Sequence, residues 1–361
     1  MNDELSGARL ARMRAAGGGQ AAFFVRDTSN IAWLTAFDDV FDDEQAHALL
    51  VTPDAAVLHT DSRYSAACRN AAEGGPICVE DERISHAQWL AGLAPAGTIG
   101  IEDGITLGEY RALAKEMAEQ RLSETHDFVL GLRAVKDAAE IERLRAAQAI
   151  TDAAFSHIMG FMRPGMTERE VRIELEDFMY RKGASGLAFS SIVATGANGA
   201  SPHAIPGDTV LEAGQCVVMD FGARAQGYCS DMTRTVFLGR PDERLAHAYE
   251  VLREANESVE AALRPGMTGA EAQQLAEDVL ERGGFGGKMG HGLGHGVGLD
   301  IHEEPVLSSR NKRPLEEGNV VTVEPGIYLE GEFGMRLEDC GVLTAQRYEA
   351  FTQSPHEMTV I

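Results

Sequence analysis

Apolar and polar positions follow two different rhythms along the chain. In the first third, short apolar runs bounded by Asp, Pro or Gly alternate with stretches of helix formers. Residues 21–25, 48–51, 55–58 and 98–101 read as strands, and 61–70 and 108–121 as helices. The pattern predicts a mixed α/β domain over residues 1–131, and none of its polar residues forms a recognisable chemical cluster. Beyond it the apolar period becomes helical. Ile141, Leu144, Ala147, Ile150, Ala154 and Ile158 mark one long amphipathic helix, which ends at Arg163-Pro-Gly-Met-Thr167. Leu245, Ala248, Leu252, Ala255, Val259 and Ala262 mark another, which ends at Arg264-Pro-Gly-Met-Thr268.

That repeated pentapeptide is one sign of an internal duplication. Each copy opens a capping box, Thr167 with Glu170 and Thr268 with Glu271, whose side chains satisfy free N–H groups at a helix start. Each following helix is expected to stop at a glycine, Gly183 or Gly283. Each half then carries His-x-x-Pro, from His203 and from His302. Leu211-Glu-Ala-Gly leads into an apolar strand ending at Asp220, and Leu315-Glu-Glu-Gly into one ending at Glu324. The three pairs are offset by 101, 99 and 104 residues, differences that loops absorb. Residues 137–361 are therefore read as a duplicated unit.

Composition narrows the function. Apolar residues make up 44% of the chain, enough for two cores in 361 residues, and the net charge is −24. Such acidity repels nucleic acid and anionic lipid, so neither is an expected partner. No run approaches the roughly 20 apolar residues of a membrane span. The polar, Gly-rich start lacks the apolar segment of a secretory signal. Five cysteines without CxxC spacing read as reduced thiols. A cytoplasmic protein is expected.

The duplication also predicts chemistry. Two similar halves packed about a pseudo-twofold axis bring equivalent residues together, so Asp220 should face Glu324. Asp231 lies eleven residues past Asp220, and Glu338 fourteen past Glu324. Both intervals are rich in Gly and turn residues, so each half reads as a hairpin with a carboxylate on both strands. A lone Asp or Glu is usually a solvated surface group. Four that converge in a protein interior cannot all stay ionised without a cation. Two divalent metals would balance them, bridged by one acid from each half. His291 and His295 stand in Gly290-His-Gly-Leu-Gly-His-Gly-Val-Gly298, where five glycines argue against a helix and for close backbone approach to a ligand or metal. A buried His is more often a hydrogen-bonded core residue, but beside this carboxylate set His295 reads as a metal ligand.

Met219-Asp-Phe-Gly, Ser230-Asp-Met-Thr-Arg-Thr, His291-x-x-Gly-His-Gly, Ile301-His-Glu-Glu-Pro, Val323-Glu-Pro-Gly and Met335-Arg-Leu-Glu-Asp resemble the pita-bread metallopeptidase family. That family includes methionine aminopeptidase, aminopeptidase P, prolidase and creatinase. Ser29-Asn-Ile-Ala-Trp-Leu-Thr and Thr60-Asp-Ser-Arg-Tyr resemble its shared N-terminal domain. The resemblance implies an α+β fold, a creatinase-like pita-bread domain with an internal pseudo-twofold repeat behind a smaller mixed α/β domain. It also implies that Asp231 and Glu338 bridge two divalent ions, with Asp220 completing one shell and His295 and Glu324 the other. An oxygen-rich set with one imidazole suits Mn²⁺ first, with Co²⁺ or Zn²⁺ as alternatives.

By the same resemblance, His203, His291 and His302 either stand behind the metal ligands or face the substrate, Arg336 supports the bridging ligands, and Glu324 doubles as general base. The activity implied is removal of the residue before proline by an Xaa-Pro aminopeptidase. The alternative is an Xaa-Pro dipeptidase (prolidase), in which Arg310, fourteen residues before Glu324, would hold the free carboxylate. A non-catalytic binding module is a more distant reading, against which stand the full ligand set and the acidity. Relatives of this kind commonly form homodimers, which is the expectation here.

Overall fold

The computed structural model describes residues 2–42 and 44–361. Contacts divide the chain into two compact units between Arg133 and Ala134.

The first unit is built on a six-stranded mixed sheet. Its order is Cys78–Glu80, Ala56–His59, Ala48–Val51, Ala22–Val25, Ile99–Glu102, Leu122–Thr125. The two central strands are buried at every position, as continuous apolar runs demand. Phe24 pairs with Leu50 on one side and Ile101 on the other. The expected helices form but are shorter. Ser65–Ala71 starts after the turn at Asp61, and Leu107–Glu116 stops where Met117 turns extended to bury its side chain. The polar start of the chain is itself a helix, Asn2–Ala16, with only Leu10 and Met13 as buried apolar anchors. Arg9 adds a third contact by stacking on Trp33, a use of arginine that apolar periodicity does not register.

The second unit repeats itself down to single hydrogen bonds. Ala138–Phe161 and Glu168–Arg181 form one helix pair, Glu243–Ala262 and Gly269–Arg282 the other. Both capping boxes are made, at Thr167–Glu170 and Thr268–Glu271. Gly165 N donates to Leu211 O and Gly266 N to Leu315 O, both at 2.8 Å. The helix exits are equivalent. Gly183 and Gly284, 101 residues apart, both take the left-handed conformation, with φ 99° and 88°, so the second exit falls one residue later than the expected Gly283.

Each helix pair is joined to a sheet in which three neighbouring strands run antiparallel. In the first, Cys216–Phe221 lies between Ile192–Thr195 and Met232–Phe237. In the second, Val320–Val323 lies between Gly294–Gly296 and Asp339–Leu343. The interval between the two carboxylate-bearing strands is more than a turn in both halves. It folds back as a small ribbon, Ala223–Ala225 with Tyr228–Cys229 and Gly326–Leu329 with Phe333–Arg336. Among the described residues no helix is long and apolar enough to cross a membrane.

Candidate metal centre

Equivalent ends of the two hairpins supply the four carboxylates. Asp220 sits within Cys216–Phe221 opposite Thr233, and Glu324 directly follows Val320–Val323. Asp231 immediately precedes Met232–Phe237, and Glu338 immediately precedes Asp339–Leu343. The halves meet here, since Glu338 N donates to Thr233 O at 3.1 Å.

His295 reaches the group from the short strand Gly294–Gly296. Strand packing requires two of the glycines around it, and Gly292 and Gly294 also line the cleft. A Cβ at Gly294 would lie 2.1 Å from Thr322 O, and one at Gly296 2.4 Å from Glu304 O. His295 Nδ1 donates to Gly296 O at 3.1 Å, which fixes the tautomer and leaves the Nε2 lone pair facing the acids. Nε2 stands 3.4 Å from both Asp231 Oδ2 and Glu324 Oε1. Donor atoms of Asp231, His295 and Glu338 all lie within 4.8 Å of one another.

The electrostatics call for a cation. Burial, then the charges of Asp220 and Glu324, raises Asp231 well above the usual carboxylate range. Burial, then Asp231, does the same to Glu338. Burial pushes Glu324 up to about 8 and His295 down to about 4. Asp220 Oδ1 is buried with no hydrogen-bond partner. Acids held this close, an imidazole lone pair turned toward them and an orphaned carboxylate oxygen fit divalent metal, and the oxygen-rich set fits a hard or borderline one. Arg336 is the positive charge already present. It pairs with Asp220, and its Nε and Nη1 donate to Thr233 Oγ1 at 3.0 Å and Tyr328 OH at 2.7 Å.

These residues open into a cleft of about 440 Å³, lined also by His203, His291, His302 and Arg336. His291 Nδ1 donates to Gly292 O at 2.7 Å, so its Nε2 accepts from Tyr328 OH at 3.1 Å. His302 packs edge-on against His295, with ring centroids 4.3 Å apart. Phe189, Ile192, Pro202 and Ile301 give the cleft an apolar wall. Arg310 is not in it, but lies on an exposed turn outside the lining residues.

Sequence reasoning assigned no role to Thr233, whose Oγ1 donates to Glu338 Oε2 at 2.6 Å, or to Tyr328. Strand alternation held a clue to the first. Thr233 lies two residues past Asp231, as Arg336 lies two before Glu338, and period-two spacing puts such pairs on one face. Tyr328 carried no comparable signal, because its place depends on how the second ribbon folds back.

Fold and site together define a hydrolase class, a doubled scaffold that gathers acids around divalent metal. The chain belongs to metallopeptidase family M24, whose model matches residues 142–345, and residues 9–135 match the creatinase/prolidase N-terminal domain. An uncharacterized peptidase of Bacillus subtilis is 36% identical over 93% of this chain and 95% of its own length. The structure of an Xaa-Pro dipeptidase from Bacillus anthracis is similar with a TM-score of 0.91 and 35% identity, covering 99% of this chain and 100% of that one. That of an X-Pro aminopeptidase from Thermotoga maritima matches with a TM-score of 0.87 and 33% identity, over 98% and 99%.

Proposed function

We propose that this metallo-exopeptidase releases the N-terminal residue that precedes proline, and that it acts on peptides longer than a dipeptide. Asp220, Asp231, His295, Glu324 and Glu338 are the residues that would hold two divalent ions, Mn²⁺ by preference, with Asp231 and Glu338 shared between them. When bound, the pair supplies a nucleophile at neutral pH and Lewis acidity toward the scissile carbonyl.

The chain's own groups do the rest. The apolar wall of Phe189, Ile192, Pro202 and Ile301 receives side chains flanking the bond and excludes water. His203 and His302 face the cleft from opposite halves and would hydrogen-bond the developing oxyanion. Glu324 Oε1 is within 3.3 Å of Thr322 Oγ1, so Oε2 is the freer atom to take a proton from the attacking water. That proton is needed at the leaving nitrogen, which departs as an amine and not as an amide anion.

The observation that carries the choice of substrate length is the charge of the cleft. Among the described lining residues Arg336 is the one Lys or Arg, and it is committed to Asp220 and Tyr328. A dipeptidase needs a cation for the substrate's nearby C-terminal carboxylate, and Arg310 lies outside the lining. The similarity to the Xaa-Pro dipeptidase from Bacillus anthracis favours the second reading, a dipeptidase.

Hydrolysis of Ala-Pro and Ala-Pro-Ala, measured side by side with Mn²⁺ added, separates the two. Faster cleavage of the tripeptide is expected. A strong preference for the dipeptide would make the chain a prolidase with Arg310 its carboxylate anchor, and cleavage of neither would remove proline from the reading. Glu338→Ala should abolish metal binding and turnover together, and retained turnover would refute the ligand set.

A further inference from the structure

The segment that carries His203 is packed only through small residues, Ala204 against Ile192 and Ala194 and the buried Pro206. His203 is exposed, and Ile205 is 83% exposed. On one side of His203, Pro202 O accepts from Arg336 Nη1 at 3.3 Å. On the other, Gly207 N donates at 3.0 Å to Oε2 of Glu168.

Glu168 is unusual for a carboxylate. It is 0% exposed and has no ion-pair partner among the described residues. N–H groups and a helix start surround it instead. Oε1 accepts from Thr195 N at 3.0 Å, and Asn198 Nδ2 donates to both oxygens, at 3.0 and 2.8 Å. Asn198 Nδ2 also reaches Ile205 O at 3.4 Å. Glu168 is the first residue of helix Glu168–Arg181, just after the Thr167 cap, where the helix dipole favours negative charge.

The duplication shows what this carboxylate replaces. The residue after the second cap, Thr268, is Gly269, and a Cβ there would lie 2.4 Å from Val306 O. In that half the strand Glu303–Leu307 fills the place and pairs with Gly294–Gly296. The first half has no such strand after His203, and its backbone donors go to Glu168 instead.

We propose that Glu168 is a positioning residue. Its carboxylate, with Asn198, fixes the 199–207 segment so that His203 is held at the cleft. The catalytic part of this inference rests on the reading of His203 as a substrate-facing group. Both oxygens of Glu168 accept a backbone N–H, so the amide of glutamine must turn its NH2 toward one of them.

The test uses the full chain carrying Glu168→Gln, with Asn198→Ala as a milder variant should the first not fold. Each is made with and without His203→Ala. Hydrogen exchange of the metal-free protein should quicken at least about tenfold at Gly207 and Thr195. With Mn²⁺ bound at unchanged stoichiometry, kcat should fall about ten- to hundredfold, the scale of a small misplacement of a catalytic group. In the His203→Ala background the same substitution should cost less than about threefold, because the group it positions is gone. Equal losses in both backgrounds, lost metal or an unchanged kcat would overturn the proposal. If His203→Ala is itself silent, the role given to His203 is wrong. Exchange at Gly207 then decides the anchoring alone, with an unchanged rate overturning it.

Discussion

Arg234→Lys should cost the second unit about 1–3 kcal/mol of stability, although it keeps the charge. Arg234 is almost fully buried, and all five of its N–H donors are used. Nε donates to Pro355 O at 3.0 Å. Nη1 donates to Thr233 O at 3.0 Å and Glu338 O at 2.6 Å. Nη2 donates to Asp339 Oδ1 and Ser354 O, both at 2.7 Å. One guanidinium therefore ties the backbone at Glu338 and just past Asp231 to the C-terminal segment.

A lysine ammonium can stand where only one of those three nitrogens stood. At the Nη2 position it keeps Asp339 and Ser354 but loses Glu338 O and Pro355 O. At either other position it loses the Asp339 carboxylate, which is a worse outcome. Thr233 O does not count as lost, because it also accepts Glu338 N. Glu338 O is left unmade in the interior at about 1–3 kcal/mol, whereas Pro355 is exposed and its carbonyl can turn to water, so the cost is about 1–3 kcal/mol. That is a large share of the roughly 5–15 kcal/mol that holds a typical domain. Urea unfolding of the metal-free chain checks it, followed by far-UV circular dichroism and by tryptophan fluorescence. Both tryptophans, Trp33 and Trp89, belong to the first unit, so the part of the dichroism transition they do not follow reports the second. That part should move to lower urea. A loss below about 0.5 kcal/mol, the range of ordinary surface substitutions, would refute the five-donor account.

Three further outcomes are expected. Thr233→Val removes the hydrogen bond to Glu338 Oε2 and the acceptor of Arg336 Nε, so Mn²⁺ affinity measured by chelator competition should weaken about 10–100-fold with the fold intact; an unchanged affinity would mean Thr233 does not orient the ligand. Gly334→Ala would place a Cβ 1.9 Å from Gly199 O, a backbone atom that cannot rotate away, and should lower stability by at least about 1–3 kcal/mol in a thermal melt. Burial holds His47 down to about 4 and His86 down to about 3 in the first unit. Between about pH 6.5 and those values the unfolded chain binds more protons than the folded one, so stability falls as pH falls through that window and is fully present above it. Replacing both by glutamine should flatten the acid side of the stability curve, and an unaltered slope would show that other groups dominate.

The sequence alone determined the parts that rest on local chemistry. Helix periods, capping boxes and the repeated Arg-Pro-Gly-Met-Thr are written in neighbouring residues, and they imply the doubled unit without knowledge of a single contact. Doubling in turn pairs Asp220 with Glu324 and Asp231 with Glu338, because symmetry brings equivalent positions to one axis. Where local signals are weak the reading failed. The Asn2–Ala16 helix was missed because Arg9 does the work of an apolar residue there, and the second helix exit fell at Gly284 because either of two adjacent glycines can take the left-handed turn. Only the tertiary structure decided that Gly294 and Gly296 serve strand packing, that Thr233 and Tyr328 join the site, that Arg310 lies on an exposed turn outside the cleft lining, and that Glu168 fills a place its counterpart Gly269 leaves to a strand. Each of these depends on residues distant in sequence meeting at bonding distance, and a linear pattern does not encode which backbone atom will stand opposite a side chain once the two halves have closed.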